Sequence, residues 1–130
     1  MLHTQELRLG RRELEMLNIV WDLGEATVQD VCDRLARPAA YSTVLTMMRA
    51  LENKGVLGHR TDGRTFVYHA LISREHVQGS MLNSVRDVLF GGSVASLINT
   101  MLSQHPMSDK ELEELRSLLD QAAAAGETHA

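Results

Sequence analysis

Apolar residues recur at helical spacing along most of this chain, and each break in that recurrence marks a boundary between elements. From about Arg11 to Leu23, Leu14, Leu17, Ile19, Val20 and Trp21 predict a helix that stops at Gly24. Thr27, with Asp30 three residues on, has the form of a short capping box. The helix it opens, about Val28 to Ala36, carries Val28, Val31, Cys32 and Leu35 on one face, and Pro38 breaks the chain after it. A third helix is predicted from near Ser42 to Gly55. Val44, Met47, Met48 and Leu51 form its apolar side, and Ser42, Thr43, Thr46, Arg49, Ala50 and Asn53 its other side. That second side has short hydroxyls, an alanine, an amide and one arginine. It lacks the glutamate–lysine mixture of a merely solvated face, and its small bulk permits close approach to a surface.

The pattern then changes. Val56 to Arg60 and Arg64 to Ala70 are β-prone runs separated by Asp62-Gly63, a strong hairpin signal. With a two-residue turn there, Leu57 lies opposite Tyr68, Phe66 shares their face, and Arg60 and Arg64 flank the tip.

Beyond Ile72 the pattern is purely helical. Ser73 caps a helix to about Phe90 carrying Val77, Met81, Val85, Val88 and Leu89, and Gly91-Gly92 ends it. Ser93 starts the next, with Val94, Leu97, Ile98, Met101 and Leu102 at i, i+3, i+4, i+7 and i+8, and Pro106 breaks it. Ser108 and Glu111 make a capping box for a last helix carrying Leu112, Leu115, Leu118 and Leu119. The Ala-rich tail after Gln121 is expected to fray.

Three helices followed by a hairpin is the order of a winged helix-turn-helix. The expected fold is therefore mainly α: a winged helix-turn-helix over residues 7–72, then a helical dimerisation region over 73–124. The 58 residues after Ile72 are few for a separate core. Pairing with a second copy would bury the stripe of Val94, Leu97, Ile98, Met101, Leu112, Leu115 and Leu119. The alternative is a bundle packed back on its own winged helix. A two-fold pair suits two half-sites of a palindromic duplex.

Charge first argues against nucleic acid, since the net charge is −4. Its distribution argues otherwise. Residues 1–72 carry 9 basic and 9 acidic side chains, so the whole deficit lies beyond Ile72. Within Ala36 to Ile72, Arg37, Arg49, Lys54, Arg60 and Arg64 outnumber Glu52 and Asp62, a locally basic surface able to meet phosphates. Short polar groups on an exposed helix can read base edges in the major groove, and arginines suit guanine or phosphate. The candidate DNA-contacting residues are therefore Ser42, Thr43, Thr46 and Arg49 on the helix, Tyr41 at its start, and Arg60 and Arg64 on the wing. Two rivals stand beside this reading: a winged-helix protein-interaction module, and a repressor answering a small ligand lodged near Met81, Met101 and Met107. Those methionines also fit plain core.

Other classes find no support in the residues. There is no phosphate loop, nucleophile elbow or His-Glu-x-x-His, so no enzyme is expected. The single cysteine, Cys32, reads as a buried, inert thiol and excludes an internal disulfide or Cys-x-x-Cys metal site. The histidines (His3, His59, His69, His76, His105 and His129) show no ligand spacing, although His59 and His69 fall on the two wing strands. No cofactor or metal is expected. With no secretory signal pattern and no apolar run near the roughly 20 residues of a membrane span, the chain is expected to be cytoplasmic and not membrane-inserted.

The run from Tyr41 to Val56, YSTVLTMMRALENKGV, resembles the penicillinase-repressor (BlaI/MecI/CopY) family of winged-helix transcriptional regulators. Glu13 to Trp21, Gly63 to Tyr68, Phe90 to Ser93 and Ser108 to Leu115 resemble that family's first helix, wing and C-terminal landmarks, so the likeness spans about Leu7 to Asp120. The resemblance implies a homodimeric repressor on an inverted-repeat operator, controlling antibiotic-resistance or stress genes. It also implies a membrane sensor-protease pathway that ends in cleavage after an asparagine, here Asn99 followed by Thr100. The best-known members have phenylalanine at the second position. Read from the residues alone, Asn99 is a solvated helix position. The paired Cys-x-Cys motifs of the copper-sensing branch are missing from this sequence.

Overall fold

The computed structural model describes residues 8–129, with side chains through residue 126. Leu7, where the first domain is expected to begin, and His3 lie outside the described residues, as does the side chain of His129. The described elements run α1 (Arg11–Leu23), β1 (Glu25–Ala26), α2 (Val28–Arg34), α3 (Tyr41–Asn53), β2 (Leu57–Asp62), β3 (Thr65–Ala70), α4 (Arg74–Leu89), α5 (Val94–Gln104) and α6 (Asp109–His129). They fall into two compact units, Met1–Ser84 and Val85–Ala130.

The first unit is a winged helix. Met16, Leu17 and Val20 of α1, Val28 and Val31 of α2, and Val44, Met48 and Leu51 of α3 meet Leu57 and Tyr68 of the hairpin in one core. Each large apolar side chain so enclosed stabilises the fold by about 1.5–3 kcal/mol. Val77, in the first turn of α4, belongs to the same core at 3% exposure, so the unit continues past Ile72. Cys32 is half-buried rather than enclosed, because it lies at the edge of the face that Val28, Val31 and Leu35 bury. Burial and neighbouring Asp33 push its thiol pKa up, which favours the protonated thiol.

The capping box of α2 is present: Thr27 Oγ1 accepts from Asp30 N at 3.0 Å, and Asp30 Oδ2 accepts from Thr27 N at 3.0 Å. Between Gly24 and that cap lies a strand the pattern did not reveal. Glu25 and Ala26 pair with His69 and Tyr68, giving a sheet of order β1-β3-β2. Two residues are too few for any alternation to register.

The hairpin register differs by two residues from expectation. Asp62 pairs with Thr65, so the turn is Gly63-Arg64, and His59 rather than Leu57 lies opposite Tyr68. Gly63 has φ 65°, the sense a II′ turn requires at its first central residue, which explains why the glycine leads the turn. Because side chains alternate with period two, the shift preserves the apolar face: Leu57, His59, Phe66, Tyr68 and Ala70 still share it.

In the second unit, α5 has no buried residue, and Val94 and Met101 are more than half exposed. Leu97, Ile98, Leu112 and Leu115 are half-buried and Leu119 is exposed. Helix α6 runs through the Ala-rich segment to His129, in line with alanine's high helix propensity. Gly91 and Gly92, at φ 57° and 84°, make the turn between α4 and α5. No described helix is long and apolar enough to cross a membrane.

Candidate nucleic-acid interface

Helix α3 owes its orientation to Val44, Met48 and Leu51, all fully buried at i, i+4 and i+7. That anchoring turns Tyr41, Ser42, Thr43, Thr46, Arg49 and Asn53 outward, and all six are exposed. The Thr46 hydroxyl donates to Ser42 O at 2.9 Å, which leaves its lone pairs and methyl for a partner. No side chain caps the N-terminus of α3 and its first turn holds no acid, so the free N–H groups beside Ser42 and Thr43 present a positive helix end.

The wing tip folds beside this face. A cleft of about 250 Å³ lies between them, lined by Val28, Tyr41, Leu45, Arg49, Arg64, Thr65 and Phe66. Among the described residues neither Arg49 nor Arg64 has a carboxylate within ion-pair distance. Two uncompensated guanidinium groups beside one notch suit a planar or tetrahedral oxyanion.

The other basic residues of this stretch are placed differently. Lys54 is held by Glu13 at 2.9 Å and also donates to Arg8 O at 2.8 Å. Arg60 donates from Nε to Glu25 Oε2 at 2.8 Å and from Nη2 to Glu25 Oε1 at 3.1 Å. Arg60 therefore does not join the cleft; its partner lies on β1, a strand unseen in the sequence. The local charge counted from Ala36 to Ile72 overstates the open positive charge, since Glu13 and Glu25 reach in from outside. The Arg60 hydrogen bond is the main reason that the Glu25 carboxyl sits below the ordinary carboxylate range.

Several further residues shape the site. Phe66 and Leu45 line the cleft, although the sequence pattern placed Phe66 only on the hairpin's apolar face and did not single out Leu45. His59 joins the wing to α3: its Nδ1 lies 2.7 Å from Glu52 Oε2, and its ring stacks on Phe66 at 4.0 Å between centroids. A polar residue at an inward strand position was the available signal, but its partner Glu52 lies seven residues away on another element. Tyr68 is fully buried with no hydrogen-bond partner for Oη, and burial raises its pKa. His59 and His69 lie on opposite faces of the sheet and do not converge. Among the described residues no group of three His, Cys, Asp or Glu side chains is arranged to hold a metal.

Asn99 and Thr100 lie in the middle of α5, Asn99 exposed and Thr100 half-buried. The Asn99 carbonyl accepts from Ser103 Oγ at 2.8 Å, and Thr100 Oγ1 donates to Ser96 O at 3.2 Å. The three methionines are scattered: Met81 packs against the winged-helix core, while in the second unit Met101 is exposed and Met107 half-buried.

Comparison with known proteins agrees with this geometry. The sequence model of the penicillinase repressor family matches residues 9–121. The chain is 27% identical over 116 residues to a penicillinase repressor from Bacillus licheniformis, covering 88% of this chain and 91% of that protein. It is 23% identical over 121 residues to the methicillin resistance regulatory protein MecI of Mammaliicoccus sciuri, covering 92% and 98% respectively. Among solved structures, a MarR family protein from Bacillus stearothermophilus shares the fold with a TM-score of 0.53 at 16% identity, covering 92% of this chain and 76% of that one.

Proposed function

This chain belongs to the penicillinase repressor family and is a transcriptional repressor that binds operator DNA, and from that premise we propose how it does so. Helix α3 enters the major groove with Ser42, Thr43 and Thr46 toward base edges and the flanking phosphates. A backbone phosphate enters the cleft between α3 and the wing, where Arg49 and Arg64 face it and Tyr41 and Phe66 pack against the sugar. Arg60 braces the wing through Glu25 rather than gripping DNA. The observation that carries this reading is the convergence of two unpaired arginines on one cleft beside an exposed face of small polar side chains.

The repressor acts as a homodimer on an inverted repeat. The stripe of Val94, Leu97, Ile98, Met101, Leu112, Leu115 and Leu119, of which Val94, Met101 and Leu119 are exposed and the rest half-buried, supports pairing, since a second copy would bury it further. Its genes are of the antibiotic-resistance or stress class, and it works in the cytoplasm. Release by proteolysis after Asn99 requires α5 to unwind first, because the peptide lies inside a helix whose Asn99 carbonyl is also held by Ser103.

The test is binding of the full chain to its own operon's promoter over a salt series. Thr46→Glu should abolish specific binding. Arg64→Ala should weaken all sequences alike and reduce the salt slope by about 1. Unchanged affinity in both variants would sink the assignment.

A further inference from the structure

The first turn of α4 lies against α1 of the winged helix, and Arg74 supplies its polar contacts there. Arg74 donates from Nε to Asn18 Oδ1 at 3.2 Å, and from Nη2 to Asn18 O at 3.2 Å and Asp22 Oδ1 at 2.7 Å. Its guanidinium carbon stands 5.2 Å from the centre of the Trp21 ring. Trp21 in turn donates from Nε1 to Ile72 O at 3.0 Å, two residues before Arg74. One planar cation thus touches three residues within a single turn of α1, and the indole it covers ties down the loop that delivers it.

The ion pair in this arrangement adds little stability by itself. The Arg74–Asp22 pair is open to solvent, with Asp22 64% exposed, and exposed ion pairs contribute about 0–1 kcal/mol. The adjacent burial of Val77 anchors α4 to the core without it. The apolar contacts of Val77 and, one turn on, Met81 hold α4 to the core but are non-directional, so they fix its direction less sharply than hydrogen bonds do. Directional hydrogen bonds at fixed distances from a rigid fork narrow that direction further.

We propose that Arg74 is a positioning residue for operator recognition: by fixing the direction in which α4 leaves the winged helix, it sets the spacing between half-sites that a pair of reading heads can engage. The proposal rests on the homodimer reading above. Heads on a dimer must meet half-sites about one helical turn, roughly 34–36 Å, or a multiple apart. A pivoting α4 would relax that requirement while leaving α3 and the wing unchanged.

The experiment uses the full chain and duplexes it selects from a random-sequence pool. Affinity is measured for a single half-site, the selected full site, and full sites with the spacer lengthened or shortened by a few base pairs. The unaltered chain should lose at least about tenfold on a mis-spaced site, the scale of avidity that simultaneous engagement provides. Arg74→Ala should keep its half-site affinity and thermal midpoint, while its full-site and mis-spaced affinities draw together. Arg74→Lys keeps the charge but not the fork and should fall between. The proposal is overturned if Arg74→Ala retains the full spacer preference, or if half-site affinity and thermal midpoint fall together. A chain that pairs in sedimentation and binds its half-site but shows no spacer preference overturns Arg74's role alone. A chain that stays single and binds half-site and full site equally overturns the homodimer reading and, with it, this one.

Discussion

Glu25 and Arg60 grip each other through two hydrogen bonds, at 2.8 and 3.1 Å, on the face of the sheet that also carries Val67 and His69. The pair couples the outer strands β1 and β2 across β3. It also removes from the wing a cation that the sequence places near the tip. Glu25→Gln should free that charge, raising affinity for arbitrary duplex at low salt and steepening the salt slope by about 1. Unchanged slope in a salt titration against random-sequence DNA would show that Arg60 cannot reach a phosphate.

The same pair should respond to acid. Its folded-state carboxyl pKa is lowered, first by the Arg60 hydrogen bond, so its contribution is complete above the ordinary carboxylate range and lost as pH falls through the lowered value. Protection factors of the Glu25 and Ala26 amides, which correct for the intrinsic slowing of exchange in acid, should fall as the pH drops below the ordinary carboxylate range. Glu25→Gln should remove that pH dependence; persistence of the same profile would assign it to another group.

Tyr68 is enclosed with an unpartnered hydroxyl. Leaving a buried polar group unsatisfied costs about 1–3 kcal/mol, so Tyr68→Phe should be neutral or stabilising by about 1 kcal/mol. The midpoint of urea unfolding measures this. A clear loss would mean that the hydroxyl has a partner.

Met48 anchors the reading helix at 0% exposure. Met48→Ala should destabilise the first unit by about 2–5 kcal/mol through lost transfer energy and a cavity. Half-site affinity per folded molecule should change little, because Met48 faces away from the exposed side. Equal losses in unfolding midpoint and in that affinity would place Met48's effect on the interface itself.

Val94 and Met101 expose apolar surface in the second unit. Charging this stripe with Met101→Glu should abolish pairing in sedimentation and reduce full-site binding to half-site strength. A variant that still sediments as a pair would locate the dimer contact elsewhere.

Helix existence was legible wherever a 3.6-residue apolar stripe ran between strong punctuation. Gly24, Thr27, Pro38, Gly91-Gly92, Ser93, Pro106 and Ser108 each act locally, through φ preferences or cap hydrogen bonds, so they need no tertiary knowledge. The outward side of α3 was legible for the same reason, because burying Val44, Met48 and Leu51 leaves only one way for Thr46 and Arg49 to point. The face of the hairpin survived a two-residue register error because strand side chains repeat with period two.

What pairs with what was decided only in three dimensions. β1 exists because β3 offers it an edge, and no local preference of two residues could announce that. Arg60 and Lys54 look as free as Arg49 and Arg64 in the sequence; Glu25 and Glu13, 35 and 41 residues away, neutralise the first two and leave the second two open. Charge counted along a chain is a sum, whereas a binding surface depends on which charges fall within a few ångströms of each other. The sequence by itself therefore determined the winged helix, the exposed polar face of α3 and the family. The tertiary structure decided which arginines remain without a carboxylate partner among the described residues.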